Sequence, residues 1–427
     1  MNQTLLEKLK TIEDRVGEHF PEVLNSVKVE LSVAAVLSFK NNPQPTTLIF
    51  SGTSGSGKTL PLSLILPDKN HKEELSKYIF RSDNFTPKSF VSHAANIGNK
   101  RLEEIDLLPK IENKVLIIKE LAPIFRGKKE ELVERFSILI SVLDGKGLMS
   151  SSGSRGTRGY DRDINFCWLG GTTPLSSDTH KLMAQLGTRM LFYNTDRKDK
   201  SIDELLEFAM QNDNSFKEET CRKAVNEFLV EFFKIYPPNT FDVNTIKFDI
   251  RLLRKLVIYA KAMAMLRGAF SLTEGKDEDS DDDDRHGRPN IEREERAIII
   301  MRNIAYGSAL IHGRDHVNDF DLEQIRHIAF SSMPEQRRIL FEAILKTGGS
   351  GNTKRMMELT GFSKKTVLHY MKEVGHLGIC KFEQGDNAAS SSVSLNDMFR
   401  ELFEIDLEKN EKELHDYFDA KKKVFND

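Results

Sequence analysis

The chain has 427 residues, of which 39% are hydrophobic and 30% are charged, and its formal net charge is −3. The length predicts two or three domains at roughly 100–200 residues per domain, and the composition allows most of the chain to bury a core. Three cysteines, Cys167, Cys221 and Cys380, form no CxxC pair. Neither a zinc site nor a disulfide framework is therefore expected.

The first forty residues predict helices and not a signal peptide. Leu5, Leu6, Leu9 and Ile12 recur at helical spacing, and a second helical pattern covers 27–39. Acidic residues near the start are not typical of a signal peptide. No apolar run reaches the ~18 residues of a membrane span. We therefore expect a cytoplasmic protein without a membrane partner.

Short apolar runs separated by helical patterns predict a parallel sheet. The helical patterns cover 129–143 and 177–186. A chain that alternates strands with helices forms a parallel sheet covered on both faces. The predicted strands cover 46–50, 115–118, 166–170 and 190–193.

A phosphate loop follows the first predicted strand and precedes a predicted helix, which is the context that this motif requires. Its glycines let backbone N–H groups point at phosphate oxygens, and the following helix presents its positive end. Lys58 is predicted to reach the β- and γ-phosphates of ATP, and Thr59 to offer its hydroxyl to Mg²⁺. The pattern GxxxxGK(S/T) is matched at every position by Gly52, Thr53, Ser54, Gly55, Ser56, Gly57, Lys58 and Thr59.

A carboxylate at the end of a neighbouring strand holds the metal and orients the attacking water in P-loop ATPases. Glu120 follows the predicted strand at 115–118 and is the candidate for both roles. An aspartate usually precedes this glutamate, and Lys119 stands in its place. Either Glu120 does both jobs, or Thr59 and the phosphate oxygens hold the metal.

Two further polar positions lie beside the later strands. Thr172 and Thr173 follow the third predicted strand, where one of them can reach between the acidic site and the γ-phosphate. The sequence does not choose between them. Arg189 precedes the fourth strand, a place suited to projection toward a neighbouring subunit. An arginine donated to a neighbour's γ-phosphate stabilises transition-state charge.

The ordered set of phosphate loop, acidic strand end, sensor threonine and strand-preceding arginine resembles an AAA+ ATPase over roughly residues 25–330. Within that class the chain is most similar to the branch that contains the minichromosome maintenance helicases. The resemblance implies a P-loop AAA+ parallel sheet with a helical lid, and a ring of identical subunits. Three segments suggest the branch: a hairpin insert at 144–163, an arginine-finger segment at 186–193 and a lid-like helix at 293–310.

The lid-like helix carries two candidate nucleotide-contacting arginines. Arg302 lies near the position of the sensor-2 arginine in the resembling proteins, and Arg296 on the same helix is its competitor. The hairpin insert is the first candidate DNA contact, since the resembling helicases point a hairpin from this position into the ring's pore. Its glycines allow close approach to phosphates, and Tyr160 can stack on a base. Its four cations are Lys146, Arg155, Arg158 and Arg162.

The second candidate DNA contact is a compact module near 334–394. Three predicted helices there include a short turn at Gly361, which is the helix–turn–helix pattern, and two short runs can form wing strands. Residues 334–382 hold nine lysines and arginines against four acids, an excess that suits phosphate contact. The side chains expected to face the groove are Ser363, Lys364, Lys365 and His369.

These observations predict four regions. An N-terminal helical and α/β ATPase core covers 1–200, and a helical lid with an acidic mobile loop at 274–290 covers 201–333. A winged helix-turn-helix domain covers 334–394, and an amphipathic C-terminal helix covers 395–427.

Three functions are compatible with this organisation. The first is an oligomeric ATP-driven motor that acts on DNA as a helicase, translocase or remodeller. The second is an ATP-dependent switch that changes its assembly or docks on DNA without translocation, which the Lys119 departure favours. The third is a bacterial enhancer-binding type of activator. For that class, the nearest match to the polymerase-contacting loop, 83–87, lacks the flanking glycines.

Overall fold

The structure is a computed structural model in which part of the chain is described. The description covers residues 3–42, 44–92, 102, 104–152, 156–187, 189–195, 201–203, 206, 210, 214–272, 286–385 and 390–399. Of the predicted acidic loop at 274–290, residues 274–285 lie outside this description, and 286–290 form a strand, so the loop ends earlier than predicted. The predicted C-terminal helix at 395–427 lies outside the description beyond its first five positions.

The chain forms two compact units. The first consists of Met1–Thr179, Leu186–Leu252 and Glu295–Ile328. The second consists of His180–Gln185, Leu253–Glu294 and Ala329–Asp427. Segments distant in sequence therefore share a core, so neither unit is a single continuous stretch.

A five-stranded parallel sheet forms the centre of the first unit, in the order β2-β3-β6-β1-β7. Every residue of β3 is buried, as are the first five of β1, which explains why both read as continuous apolar runs. β6 lies between β1 and β3, so the strand before the phosphate loop and the strand before Glu120 are not neighbours. The strands are β1 Thr46–Ser51, β2 Ile79–Arg81, β3 Val115–Ile118, β6 Cys167–Thr172 and β7 Leu191–Asn194.

Helices cover the sheet and carry the apolar stripes that the periodicity predicts. The buried side of α1 consists of Leu5, Leu9, Ile12 and Val16, and α1 packs on α8. α2 packs closely on α10, where a β-carbon at Gly307 would lie 2.1 Å from the Ser32 carbonyl oxygen. The helices lying wholly within this unit are α1 Gln3–His19, α2 Leu24–Ala35, α3 Thr59–Leu64, α4 Lys72–Leu75, α5 Leu107–Ile111, α6 Lys129–Leu143, α8 Asn214–Ile235 and α10 Glu295–Ile311.

An antiparallel hairpin precedes β6 in the chain and belongs to the first unit. Its strands are β4 Leu148–Ser152 and β5 Gly156–Tyr160, with Leu148 opposite Tyr160. Glycine is required where the strands approach, because a β-carbon at Gly159 would lie 2.0 Å from the Leu148 carbonyl oxygen. The predicted hairpin insert at 144–163 is therefore observed as a hairpin.

The C-terminal part of the second unit combines three helices with a three-stranded antiparallel sheet in the order β10-β12-β11. Gly361, with a φ of +71°, ends α13, and the Ser363 side chain caps α14 by accepting the Thr366 N–H at 3.3 Å. The elements are α12 Glu335–Lys346, β10 Ser350–Asn352, α13 Thr353–Thr360, α14 Lys364–His376, β11 Cys380–Glu383 and β12 Ser392–Leu395.

The remaining elements are one antiparallel strand pair, β8 and β9, and three helices, α7, α9 and α11, whose ranges are given below. Each of these helices has residues in both compact units. No helix in the described part of the chain has the length and apolar character that crossing a bilayer demands. These elements are α7 Ser177–Leu186, α9 Ile250–Arg267, β8 Ala269–Leu272, β9 His286–Asn290 and α11 Asp319–Ser331.

Glu30 on α2 is a buried carboxyl whose two oxygens have no hydrogen-bond partner among the described residues. Burial raises the pKa of Glu30 well above its ordinary value of 4.5. The folded chain therefore keeps a proton that the unfolded chain releases above about pH 4.5. The free energy of unfolding contributed by this group falls as the pH rises from that value toward the folded-state pKa.

We expect Glu30→Gln to remove this loss, because a neutral amide has no proton to release. Urea unfolding from pH 4.5 upward would measure it, with exposed Glu7→Gln on α1 as the control. Glu30→Gln should flatten the decline of unfolding free energy with pH, and Glu7→Gln should not. Equal pH dependence in all three proteins would contradict the buried, protonated carboxyl.

Candidate nucleotide-binding site

The phosphate loop leaves the carboxyl end of β1 and turns into α3 at the edge of the sheet. Gly55 and Gly57 have φ values of +83° and +85°, which side-chain-bearing residues rarely adopt. The Gly52 N–H donates to the Thr172 carbonyl at 3.3 Å, and the Ser56 and Thr195 hydroxyls are 3.0 Å apart. The loop is thereby tied to β6 on one side and to the residue after β7 on the other.

Lys58 is buried within this loop. Its ammonium donates to the carbonyls of Gly52, at 3.3 Å, and Thr53, at 3.1 Å. The cation is thus held against the loop's own backbone and does not extend into solvent. Phosphate oxygens are stronger acceptors for an ammonium than neutral carbonyls are, so a bound triphosphate can compete for the same three donors.

The structure separates the two candidate sensor threonines. Thr172 ends β6, lies opposite Ser51 of β1 and is fully buried, and its hydroxyl has no hydrogen-bond partner among the described residues. The Thr173 hydroxyl accepts from Arg126 at 2.9 Å. Thr172 is therefore next to the phosphate loop with an unused hydroxyl, whereas Thr173 is held by an arginine.

A cavity of about 250 Å³ adjoins these threonines. Arg126 brings a positive charge to its wall, and Phe125 and Leu175 bring apolar surface. Sequence reasoning did not single out Arg126. The only signal was a cation six residues beyond Glu120, in a segment with no predicted element.

Glu120 lies at this edge because β3 runs parallel to β6 and β1 and ends there. After β3, the Leu121 N–H donates to the Gly171 carbonyl at 2.7 Å, so residues 119–121 lie against β6. A β-carbon at Gly171 would lie 2.6 Å from the Lys119 carbonyl oxygen. Glu120 itself is exposed, and its Oε1 accepts the Ala122 N–H at 2.8 Å. One carboxylate oxygen therefore stabilises the local turn.

Lys119 turns toward the helix that follows the phosphate loop. Its ammonium donates to the Ser63 hydroxyl at 2.8 Å. Burial, together with the nearby guanidinium groups of Arg81 and Arg222, lowers the pKa of Lys119. A cation therefore stands where P-loop ATPases usually have the metal-shell carboxylate.

The residues present fit a triphosphate better than they fit a divalent metal. Lys58, the glycine loop and the unused Thr172 hydroxyl suit phosphate oxygens. Thr59 is exposed at the start of α3, as expected for a metal ligand. Mg²⁺ also prefers carboxylate oxygens, and the strand-end position holds the Lys119 ammonium instead.

Arg189 is held by a carboxylate of its own chain. Its Nε donates to Asp144 at 2.8 Å, and its side chain is only 11% exposed. Arg296, the competing lid arginine, donates to the same Asp144 oxygen at 2.6 Å. Burial raises the pKa of Asp144, and Arg296 partly offsets that rise. Asp144 was missed in the sequence because its partners are 45 and 152 residues away.

Arg302 lies on α10 beside Tyr306, with its guanidinium carbon 5.9 Å from the ring centre. Its Nε is buried without a hydrogen-bond partner among the described residues. No described contact joins Arg302 to the phosphate loop, so its predicted nucleotide contact stays a prediction.

The hairpin cations that were predicted to contact DNA are largely paired with carboxylates. Arg158 and the Tyr160 hydroxyl donate to fully buried Asp106, Arg158 at 2.7 Å and Tyr160 at 2.8 Å. Lys146 pairs with Asp163 at 2.9 Å in an exposed site. Arg162 pairs with Glu112, and Arg155 lies outside the described residues.

These pairs differ in how easily they can open. The Lys146–Asp163 pair has exposed fractions of 68% and 77%, and such pairs contribute about 0–1 kcal/mol. Breaking a buried pair like Arg158–Asp106 costs about 3–5 kcal/mol. Lys146 can therefore exchange its partner for a phosphate far more easily than Arg158 can.

The predicted DNA-facing residues in the first part of α14 are all exposed. Lys364 and Lys365 are exposed, as is Ser363 at the cap. His369 is also exposed and lies 3.4 Å from Glu373, which is itself bound by buried Arg337 at 2.8 Å. Two cations and a hydroxyl thus face solvent at the start of the helix.

Comparisons with known proteins were made by sequence and by structure. No family model matches the chain, and no curated protein matches it. Among solved structures, a candidate ATPase from Cytophaga hutchinsonii is similar, with 12% sequence identity and a TM-score of 0.37. The match covers 77% of this chain and 88% of that chain. A similarity at this level carries no functional inference.

We expect Gly171→Ala to destabilise the first unit by about 1–3 kcal/mol, because the added β-carbon would overlap the Lys119 carbonyl. Gly17→Ala on α1 is the matched control, since its nearest neighbour atom would be 3.9 Å away and alanine favours a helix. Urea unfolding measures both. Equal stability of the two variants would contradict the close contact of residues 119–121 with β6.

Proposed function

We propose that this chain binds ATP at the loop Gly52–Thr59. The observation that carries the proposal is the complete phosphate-loop motif at the carboxyl edge of a parallel sheet, with Lys58 held inside the loop. Ligands of open α/β sheets bind at this edge. The unused Thr172 hydroxyl next to the loop supports it, because a buried hydroxyl gains from a hydrogen bond with a phosphate or water.

The roles of the residues follow from their positions. Loop amides and the Lys58 ammonium hold the β- and γ-phosphates, and Thr59 offers its hydroxyl beside them. Thr172 hydrogen-bonds at the γ-phosphate, and Glu120 orients a water through the oxygen that does not cap the turn. Hydrolysis of ATP is the reaction that such an arrangement performs.

We further propose that the chain is an AAA+-type protein that acts on DNA as an oligomer. Arg189 would then serve a nucleotide bound by a neighbouring copy, and it must first leave Asp144. Arg296 supports such an exchange, because it already pairs with Asp144 and would keep that carboxylate neutralised.

The C-terminal module is proposed as the DNA contact, in the manner of a winged helix. The exposed cations at the start of α14 support this role, because backbone phosphates are the main source of affinity in such contacts. A wing-like pair of strands, β11 and β12, follows the helix, with Cys380 opposite Leu395. His369 and Ser363 would lie toward the groove.

A second candidate is an ATP-dependent switch that does not translocate. Lys119 favours it, since an ammonium in place of a carboxylate removes a group that activates a metal and water. The internal pairing of Arg158 also favours it, because a pore hairpin needs free cations. ATP turnover with and without single-stranded or duplex DNA separates the candidates: stimulation supports the motor, and unchanged turnover supports the switch.

Lys58→Ala is expected to weaken ATP binding at least roughly 100-fold, because the charge-assisted bonds to two phosphates are lost. Isothermal titration calorimetry measures the dissociation constant. Exposed Lys69→Ala, eleven positions further along, removes the same charge away from the loop and should leave the affinity unchanged. Similar ATP affinity in the two variants would exclude the loop as the binding site.

The double variant Lys364→Ala with Lys365→Ala should weaken DNA binding and reduce the slope of log K against log salt by about two, since two phosphate contacts are lost. Fluorescence anisotropy with a duplex at several salt concentrations measures the slope. Lys346→Ala, exposed at the end of α12, is the control. An unchanged slope in the double variant would remove α14 from the DNA interface.

A further inference from the structure

The Lys119 ammonium lies close to the place where a nucleotide's metal would be bound. It donates to the Ser63 hydroxyl at 2.8 Å. Ser63 is four residues after Thr59 on α3, so the two hydroxyl-bearing side chains share one face of the helix about 5–6 Å apart. The Lys119 ammonium is therefore held at a side chain one helical turn from the proposed metal ligand Thr59.

The other cations near Lys119 have carboxylate partners. Arg81 pairs with Asp83 at 2.7 Å, and Arg222 pairs with Glu218 at 2.5 Å. Arg222 also donates to the Ser63 carbonyl at 3.0 Å, which brings its charge to the same turn of α3. Lys119 donates its hydrogen bond to a neutral hydroxyl, and the carboxylates of Asp83 and Glu218 lie near enough to favour its charged form. These two carboxylates face three cations, Lys119, Arg81 and Arg222, so the group carries one positive charge in excess and attracts an anion.

An ammonium in this position has opposite effects on a bound triphosphate and on the divalent cation that usually accompanies it. It attracts the oxygens of a triphosphate, and it repels a divalent cation held nearby. A magnesium ion would also lack the strand-end carboxylate that normally orients its water shell. Glu120 does not replace that carboxylate freely, since one of its oxygens already accepts the Ala122 N–H.

We propose that this chain binds ATP as the free tetra-anion, without a requirement for a divalent cation, because the Lys119 ammonium, held at Ser63 one helical turn from Thr59, supplies positive charge that magnesium would bring. The inference rests on the proposed ATP site. It explains why a lysine occupies the position at which P-loop ATPases usually carry an aspartate. It also specifies the ligand form, which the loop motif alone leaves open.

The test is the dissociation constant of ATP, measured by calorimetry with excess magnesium chloride and with excess EDTA. For the wild-type chain, the dissociation constants of ATP in magnesium chloride and in EDTA are expected to agree within about threefold, or the constant in EDTA is expected to be the smaller one. Lys119→Asp installs the usual carboxylate and should bind at least about tenfold more tightly with magnesium than with EDTA. Lys119→Met, which keeps the apolar stem, should lose affinity chiefly in EDTA.

The control is Lys10→Glu, which reverses the charge of an exposed residue on α1, far in sequence from Lys119. It should bind ATP as the wild type does in both conditions. Wild-type binding that weakens tenfold or more in EDTA would overturn the inference and leave the ATP site standing. Identical metal dependence in the wild type and Lys119→Asp would overturn it as well. No binding of ATP in either condition would overturn the ATP site and, with it, this inference.

Discussion

The pairing of β6 with β1 on one side and β3 on the other determines the geometry of the whole site. Ser51 lies opposite Thr172, so the phosphate loop begins beside a buried threonine. Ile118 lies opposite Gly170, so the residues after β3 leave the sheet over a pair of glycines. Strands are roughly 4.8 Å apart, and only side-chain-free positions allow residues 119–121 to approach that closely. Lys58, Thr172 and Glu120 therefore all lie at the carboxyl edge of the sheet.

The charges around the site are arranged so that most cations are neutralised within the chain. Arg189 and Arg296 share Asp144, and Arg158 is bound by buried Asp106. Lys58 and Lys119 differ, because backbone carbonyls and a hydroxyl are their acceptors. Lys58 at the start of α3 has no carboxylate partner among the described residues, whereas Asp83 and Glu218 offset part of the charge of Lys119. An anionic ligand is the partner that this distribution of charge favours most strongly.

Much of this arrangement could be predicted from the sequence because apolar runs and the loop motif are local signals. The strand at 115–118 and the helices at 129–143 and 177–186 are observed at the predicted bounds, and the strand at 46–50 extends by one residue. β2 was missed because its three residues, Ile79–Arg81, are too few to show a strand period. In the structure it pairs with β3 at the edge of the sheet. Local patterns therefore identified the central strands and left the short edge strand unrecognised.

The charge partners could not be predicted, because they depend on contacts between distant segments. Asp106 and Arg158 are 52 residues apart, and Lys119 and Ser63 are 56 apart. Lys119 could be recognised as a departure from the usual motif, but the direction of its side chain required the fold. Likewise, the choice between Thr172 and Thr173 needed the hydrogen bond from Arg126. Sequence located the candidate groups, and tertiary contacts determined which of them remain available.

Hydrogen–deuterium exchange at the amides of Gly52–Thr59 is the measurement that tests the central claim most directly. The claim is that these amides and Lys58 enclose a triphosphate beside Thr172. Saturating ATP should slow exchange in this loop and in residues 119–122, while the α14 segment Lys364–His376 exchanges as before. Unchanged exchange in the loop at ATP concentrations that saturate the protein would contradict the account.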